Sequence, residues 1–112
     1  MPVYLIEMWI PKDGMVRECL EISRKILKYI KNHRDEFNER KSHRLFRVFI
    51  GDKPWLIDVQ EYEDLRSMEE LDKRIVKDKQ YIELIKRWKK CVDSKESRSL
   101  ILFDVHRDLW IE

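Results

Sequence analysis

Apolar positions open the chain as a run, VYLIEMWI, which a half-buried strand would interrupt at every second residue. From Val3 to Ile10, the even-numbered side chains Tyr4, Ile6, Met8 and Ile10 are all apolar. The odd-numbered ones are Val3, Leu5, Glu7 and Trp9, so Glu7 is the only polar residue on either face. A strand of this kind has two faces to cover.

The period then changes. PKDG (Pro11 to Gly14) breaks the strand, and Asp13 is placed to cap a helix. Val16, Cys19, Leu20, Ile26, Leu27, Ile30 and Phe37 follow at helical spacing, which predicts a helix over about Met15 to Glu39. SHRLFRVFIG predicts a strand from His43 to Ile50, GDKP a turn, and WLIDVQEYE a strand from Trp55 to Glu63, a hairpin in all. Ser67 and Glu70 have capping-box spacing ahead of a helix over Met68 to Val76. Asp78 can cap a second piece carrying Tyr81, Leu84, Ile85, Trp88 and Val92. DSKES is a loop, RSLILFDVHRD predicts a strand from Arg98 to Arg107, and Leu109 to Ile111 form an apolar tail.

The order β-α-β-β-α-β over residues 1–112 defines one α+β domain of ferredoxin-like type. Right-handed crossovers give a four-stranded antiparallel sheet, order 4-1-3-2, with the helices on one face. Side-chain parity then sorts the strands into two sets. The uniformly apolar set, Tyr4, Ile6, Met8, Phe46, Val48, Ile50, Ile57, Val59, Ile101, Phe103 and Val105, is expected to face the helices. The other set holds Leu5, Glu7, Trp9, Leu45, Arg47, Phe49, Leu56, Asp58, Gln60, Tyr62, Leu100, Leu102, Asp104 and His106. It is too apolar for a solvated face. The expected cover is a second copy of the same sheet, so the chain is read as a homodimer.

Composition narrows the function classes. Twenty-four basic and 22 acidic residues nearly cancel, leaving +2, which is no electrostatic footprint for a nucleic-acid binder. An RNA-recognition domain shares the element order, but its third strand would need basic residues, and Asp58, Glu61 and Glu63 stand there instead. No apolar run is long enough to span a membrane, and no secretory signal is evident. The expectation is a cytoplasmic protein with neither nucleic-acid nor membrane partners. Ala and Thr are absent while Lys, Glu, Arg and Ile abound, as in many thermophile proteins. Cys19 and Cys91 lack ligand-type spacing and are read as free thiols.

The chemistry-bearing candidates are the polar members of the less uniform set. Glu7, Arg47, Asp58, Asp104 and His106 sit among leucines and aromatics. A four-residue turn at 51–54 would pair Arg47 with Asp58 and set Glu7 between Asp58 and Asp104. Crowded, buried carboxylates raise one another's pKa. Three readings follow: a structural ion-pair network, a proton-transfer site with His106 or Asp104 as the catalytic base, or a metal site from His106 and carboxylates. His43, beside Arg40, Lys41 and Arg44, reads as part of a solvated basic loop.

The element order, the second apolar sheet face and the segment VQEYEDLRSMEELDKRIVKDKQYIELIKRW resemble the dimeric α+β barrel proteins. The likeness is to the NIPSNAP-like, stress-responsive and antibiotic-biosynthesis-monooxygenase-like branches. A tyrosine-bearing strand (Tyr62) runs into a short helix, then an acidic residue (Asp78) opens a helix bearing a tryptophan (Trp88). The resemblance implies paired sheets and a cleft for a small molecule. Relatives include cofactor-free monooxygenases, haem-handling proteins and members without known activity. The expectation is therefore a dimer binding a small, mostly apolar ligand, aromatic ones included. Arg47, Tyr62, Trp9, Asp58 and Glu7 are the candidate ligand-binding residues. No cofactor is assigned, with haem and a divalent metal left open. A non-enzymatic interaction dimer is the alternative.

Overall fold

In the computed structural model, which describes residues 2–111, β1 (Val3–Trp9) is an inner strand of a four-stranded antiparallel sheet ordered β2-β3-β1-β4. The order is the one the crossover rules predict. The remaining elements are α1 (Val16–Asn32), β2 (Arg40–Ile50), β3 (Lys53–Tyr62), α2 (Leu65–Ile75), α3 (Lys79–Cys91) and β4 (Arg98–Phe103).

Local chemistry sets most boundaries, in places by other residues than expected. α1 starts after Met15 without a side-chain cap, so Asp13 does not serve. It ends at His33, whose N–H donates to the carbonyls of Tyr29 and Ile30. A 3-10 turn over Arg34–Phe37 follows, because the chain must reverse to enter β2, and the fully buried Phe37 pins that corner. α2 begins one turn early: the Asp64 carboxylate accepts from Ser67 N at 2.8 Å, so Asp64 and not Ser67 is the cap. Asp78 caps α3 as expected, accepting from Tyr81 N at 3.1 Å, and its two oxygens also take Tyr29 Oη at 2.8 and 2.6 Å.

The β2–β3 hairpin is tighter than predicted. Ile50 pairs with Lys53, so the turn is Gly51-Asp52 alone, with Gly51 at φ 66°, where glycine costs least. This register sets Arg47 opposite Leu56 and Asp58 opposite Leu45. β2 also begins earlier, at Arg40, with a register shift between Arg40 and Ser42. β4 stops at Phe103; His106 takes a left-handed turn (φ 51°) before a 3-10 turn over Arg107–Leu109.

For the first three strands the sheet faces are the reverse of those expected. Leu5, Glu7, Trp9, Leu45, Asp58 and Gln60 line a space shared with Ser23, Ile26 and Leu27 of α1 and Ile82, Ile85 and Trp88 of α3. Tyr4, Ile6, Met8, Phe46, Val48, Ile57 and Val59 therefore point away from the helices. β4 keeps its expected orientation, because Leu5 opposes Ile101 and Ile6 opposes Leu100. Alternation groups side chains correctly but does not say which group the crossovers cover. The rule that the more apolar set forms the core fails because the polar members of the inner set pair with one another around a cavity. The packed core lies beside that cavity, in Val3, Cys19, Ile30, Phe37, Leu56, Tyr62, Leu71, Trp88 and Val92.

Candidate functional site

A cavity of about 510 Å3 opens between the helix side of the sheet and the three helices. That is the size range of small-molecule sites. Leu5, Trp9, Ile26, Leu45, Ile75, Ile82, Ile85 and Trp88 make its walls apolar. Trp9 and Trp88 meet edge-on, with ring centroids 6.1 Å apart and planes at 83°.

The floor is polar and closed on itself. Arg40, only 2% exposed, donates from Nε to Tyr62 Oη at 2.9 Å. Tyr62 donates to Gln60 Oε1 at 2.6 Å. Gln60 Nε2 reaches Asp58 Oδ2 and Glu7 Oε1, each at 3.4 Å. Asp58 Oδ1 lies 2.7 Å from His43 Nε2, and His43 Nδ1 lies 3.2 Å from Arg40 Nη1, which completes the ring. Because Arg40 can only donate, Nδ1 accepts, and the imidazole proton sits on Nε2 facing Asp58. Alternation and one bulge assemble the ring. Glu7, Asp58, Gln60 and His43 share a face by parity, and the shift after Arg40 brings its side chain to that face too.

The electrostatics follow from burial. Burial first, and then the Asp58 carboxylate, raise the Glu7 pKa above the ordinary carboxyl range, against the pull of Arg40. Burial pushes Tyr62 up to about 12 despite the neighbouring guanidinium. Burial likewise raises Tyr81, with Arg40 again opposing. Burial works against the charge of Arg40 itself, but Tyr62 and Tyr81 outweigh it and leave its pKa above the usual value. Among the described residues, no group of three or more His, Cys, Asp or Glu side chains could hold a metal ion.

Of the residues expected from sequence, Glu7, Asp58 and Trp9 line the cavity, and Tyr62 stands behind it as a link in the ring. Glu7 pairs with Asp58 as anticipated. Its other neighbour is Ser99, not Asp104, because β4 slides along β1 from the assumed register. Asp104 is buried beyond the end of β4, 2.6 Å from Arg107 Nη1. His106 is exposed in the turn that follows, and Arg47 is exposed on β2 with its guanidinium 5.3 Å from the Phe49 ring. These three lie outside the cavity. Sequence reasoning missed His43, Arg40 and Tyr81. His43 was legible, since extending the β2 alternation back from Leu45 puts it on the face of Asp58. Arg40 was not, because the bulge changes the parity between them.

No family model matches the chain, and no curated protein matches it. Solved structures do. A NIPSNAP family protein of Agrobacterium tumefaciens superposes with a TM-score of 0.76 at 18% identity, over 96% of each chain. A NIPSNAP domain protein of Burkholderia xenovorans gives 0.75 at 15%, over 94% of this chain and 96% of the other. A variant of SnoaB, a cofactor-independent oxygenase of Streptomyces nogalater, gives 0.66 at 9%, over 96% of each. The chain thus has the α+β fold shared by NIPSNAP proteins and antibiotic-biosynthesis-type monooxygenases, as the sequence resemblance implied.

Proposed function

We propose that the protein is a homodimer paired through the outer sheet face, and that each protomer binds a small, largely apolar ligand in the cavity between sheet and helices. The observation that carries this reading is a polar, buried hydrogen-bond ring at the base of an apolar chamber. Apolar walls supply affinity, and a few fixed polar groups supply orientation. The chemistry open to such a site is proton transfer. Both nitrogens of His43 are engaged within the ring, so Glu7, with one carboxylate oxygen free toward the cavity and a raised pKa, is the proton-accepting group. The oxygenase activity named for SnoaB is compatible with such a base but is a property of that protein.

A binding protein without turnover is the second reading. The mutual pairing within the ring favours it, since most of its groups are held static by their neighbours. Titration with the fluorescent apolar probe N-phenyl-1-naphthylamine tests the shared premise. The expected result is a saturable signal, one site per protomer, that vanishes when Ile82→Trp fills the chamber. Equal binding by the filled variant would refute the cavity as the ligand site. Any turnover found later should be lost in Glu7→Gln with binding retained; turnover that survives would leave only the second reading.

A further inference from the structure

The hydrogen-bond inventory of the cavity floor speaks to the head group of the ligand, given the ligand-binding reading above. The donors at the centre of the ring are turned toward other ring members. Arg40 Nε is on Tyr62, Arg40 Nη1 is on His43, Tyr62 Oη is on Gln60, Gln60 Nε2 is shared by Glu7 and Asp58, and His43 Nε2 faces Asp58. Among the described residues, no side-chain hydrogen bond reaches the second oxygen of Glu7, whose side chain lines the cavity. Glu7 therefore presents an acceptor to a ligand. A ligand acceptor set against Glu7 would leave buried lone pairs facing each other, at a cost of roughly 1–3 kcal/mol for each group left unpaired.

Charge points the same way. The lining holds three carboxylates, Glu7, Asp58 and Asp72, against two cations, Arg40 and Lys89. Lys89 is exposed on α3 and Asp72 on α2, so these two lie where solvent screens them. At the buried floor, two carboxylates face one guanidinium, whose Nε and Nη1 hold Tyr62 and His43. An arriving anion would be a third negative charge there, whereas a cation relieves the repulsion between Glu7 and Asp58. The walls add a second, independent feature. Trp9 and Trp88 form a right-angled indole corner on the same cavity, and an indole face is the best side-chain surface for a cation.

We infer that the cavity takes an organic cation, a primary ammonium on an apolar body of ring size, with its N–H donors on Glu7 and its charge against the indole corner. The carboxylate fixes the head and the apolar walls hold the body. Carboxylic acids of the same shape are rejected by the floor.

Three probes with one body and different heads test this by isothermal titration at neutral pH: 2-naphthylmethylamine, 2-naphthylmethanol and 2-naphthoate. The amine is expected to bind about 10-fold or more tighter than the alcohol, which is about 1.4 kcal/mol, with the carboxylate weakest. In Glu7→Gln, the amine should lose that advantage while the alcohol changes by less than about 2-fold. Naphthoate binding as tightly as the amine to the unmodified protein would overturn the cation inference and leave the cavity standing as a ligand site. Failure of all three probes to bind would overturn both. An amine preference that persists in Glu7→Gln would overturn Glu7 as the anchor.

Discussion

Phe46 is half exposed on β2, an edge strand, opposite Ile57 on the outer sheet face. Burying the exposed half of a phenylalanine in a partner contributes about 1 kcal/mol, half the value for a whole side chain. A two-fold interface counts each residue twice, so removing this ring weakens a dimer by about 2 kcal/mol. Phe46→Asp also places two carboxylates in the contact, against side chains such as Ile50, Leu100 and Leu102, which are 50%, 50% and 45% exposed in the single chain. The expected rise in dissociation constant is at least about 100-fold. Within one chain the change is a surface substitution, and the fold should survive it. Phe49→Asp is the control. Phe49 is 60% exposed but belongs to the helix side of the same strand, opposite Pro54. Sedimentation velocity across a dilution series should show dimeric wild type, monomeric Phe46→Asp and dimeric Phe49→Asp. A wild-type monomer at micromolar concentration would refute the pairing. Dissociation by Phe49→Asp alone would mean that copies meet through the helix side instead.

The raised pKa of Glu7 has a pH signature. Between the unfolded and the folded pKa the folded chain holds a proton there that the unfolded chain releases, so this group's contribution is full below the ordinary carboxyl range and is lost as pH rises through the folded pKa. Glu7→Gln should flatten that part of the stability profile in urea melts from acid to neutral pH; identical slopes would contradict the burial assigned to Glu7. Arg40→Met removes the one guanidinium of the ring and strands Tyr62 and His43, and should cost roughly 3–5 kcal/mol in the same assay. A loss below about 1 kcal/mol would show that the ring is not a structural unit. Asp64→Ala loses only a helix cap, about 1 kcal/mol. Asp78→Ala loses a cap together with its contact to Tyr29 Oη, and should cost about twice as much; equal losses would mean that the Tyr29 contact contributes nothing.

The site was half legible before the fold was known. Parity placed Glu7, Trp9, Asp58 and Gln60 on one face, and strand pairing does set Glu7 beside Asp58. The parts that escaped depend on long-range register. A turn two residues shorter moved Arg47 from Asp58 to Leu56, and a slide of β4 replaced Asp104 with Ser99 beside Glu7. Each is a single choice among near-equal alternatives, because neighbouring registers bury similar side chains.

Period, capping residues and turn chemistry act over a few neighbouring residues, and so the four strands, three helices and their order could be read directly from the chain. The Asp78 cap and the Gly51 turn are of this local kind. Which sheet face the helices cover, where β2 bulges, and that Arg40, His43 and Glu7 meet under one cavity came only with packing. The reason is that both faces of this sheet are apolar enough to be buried. The pattern therefore states that two surfaces need covers, and only the handed crossovers and the cavity that they leave open say which cover each one receives.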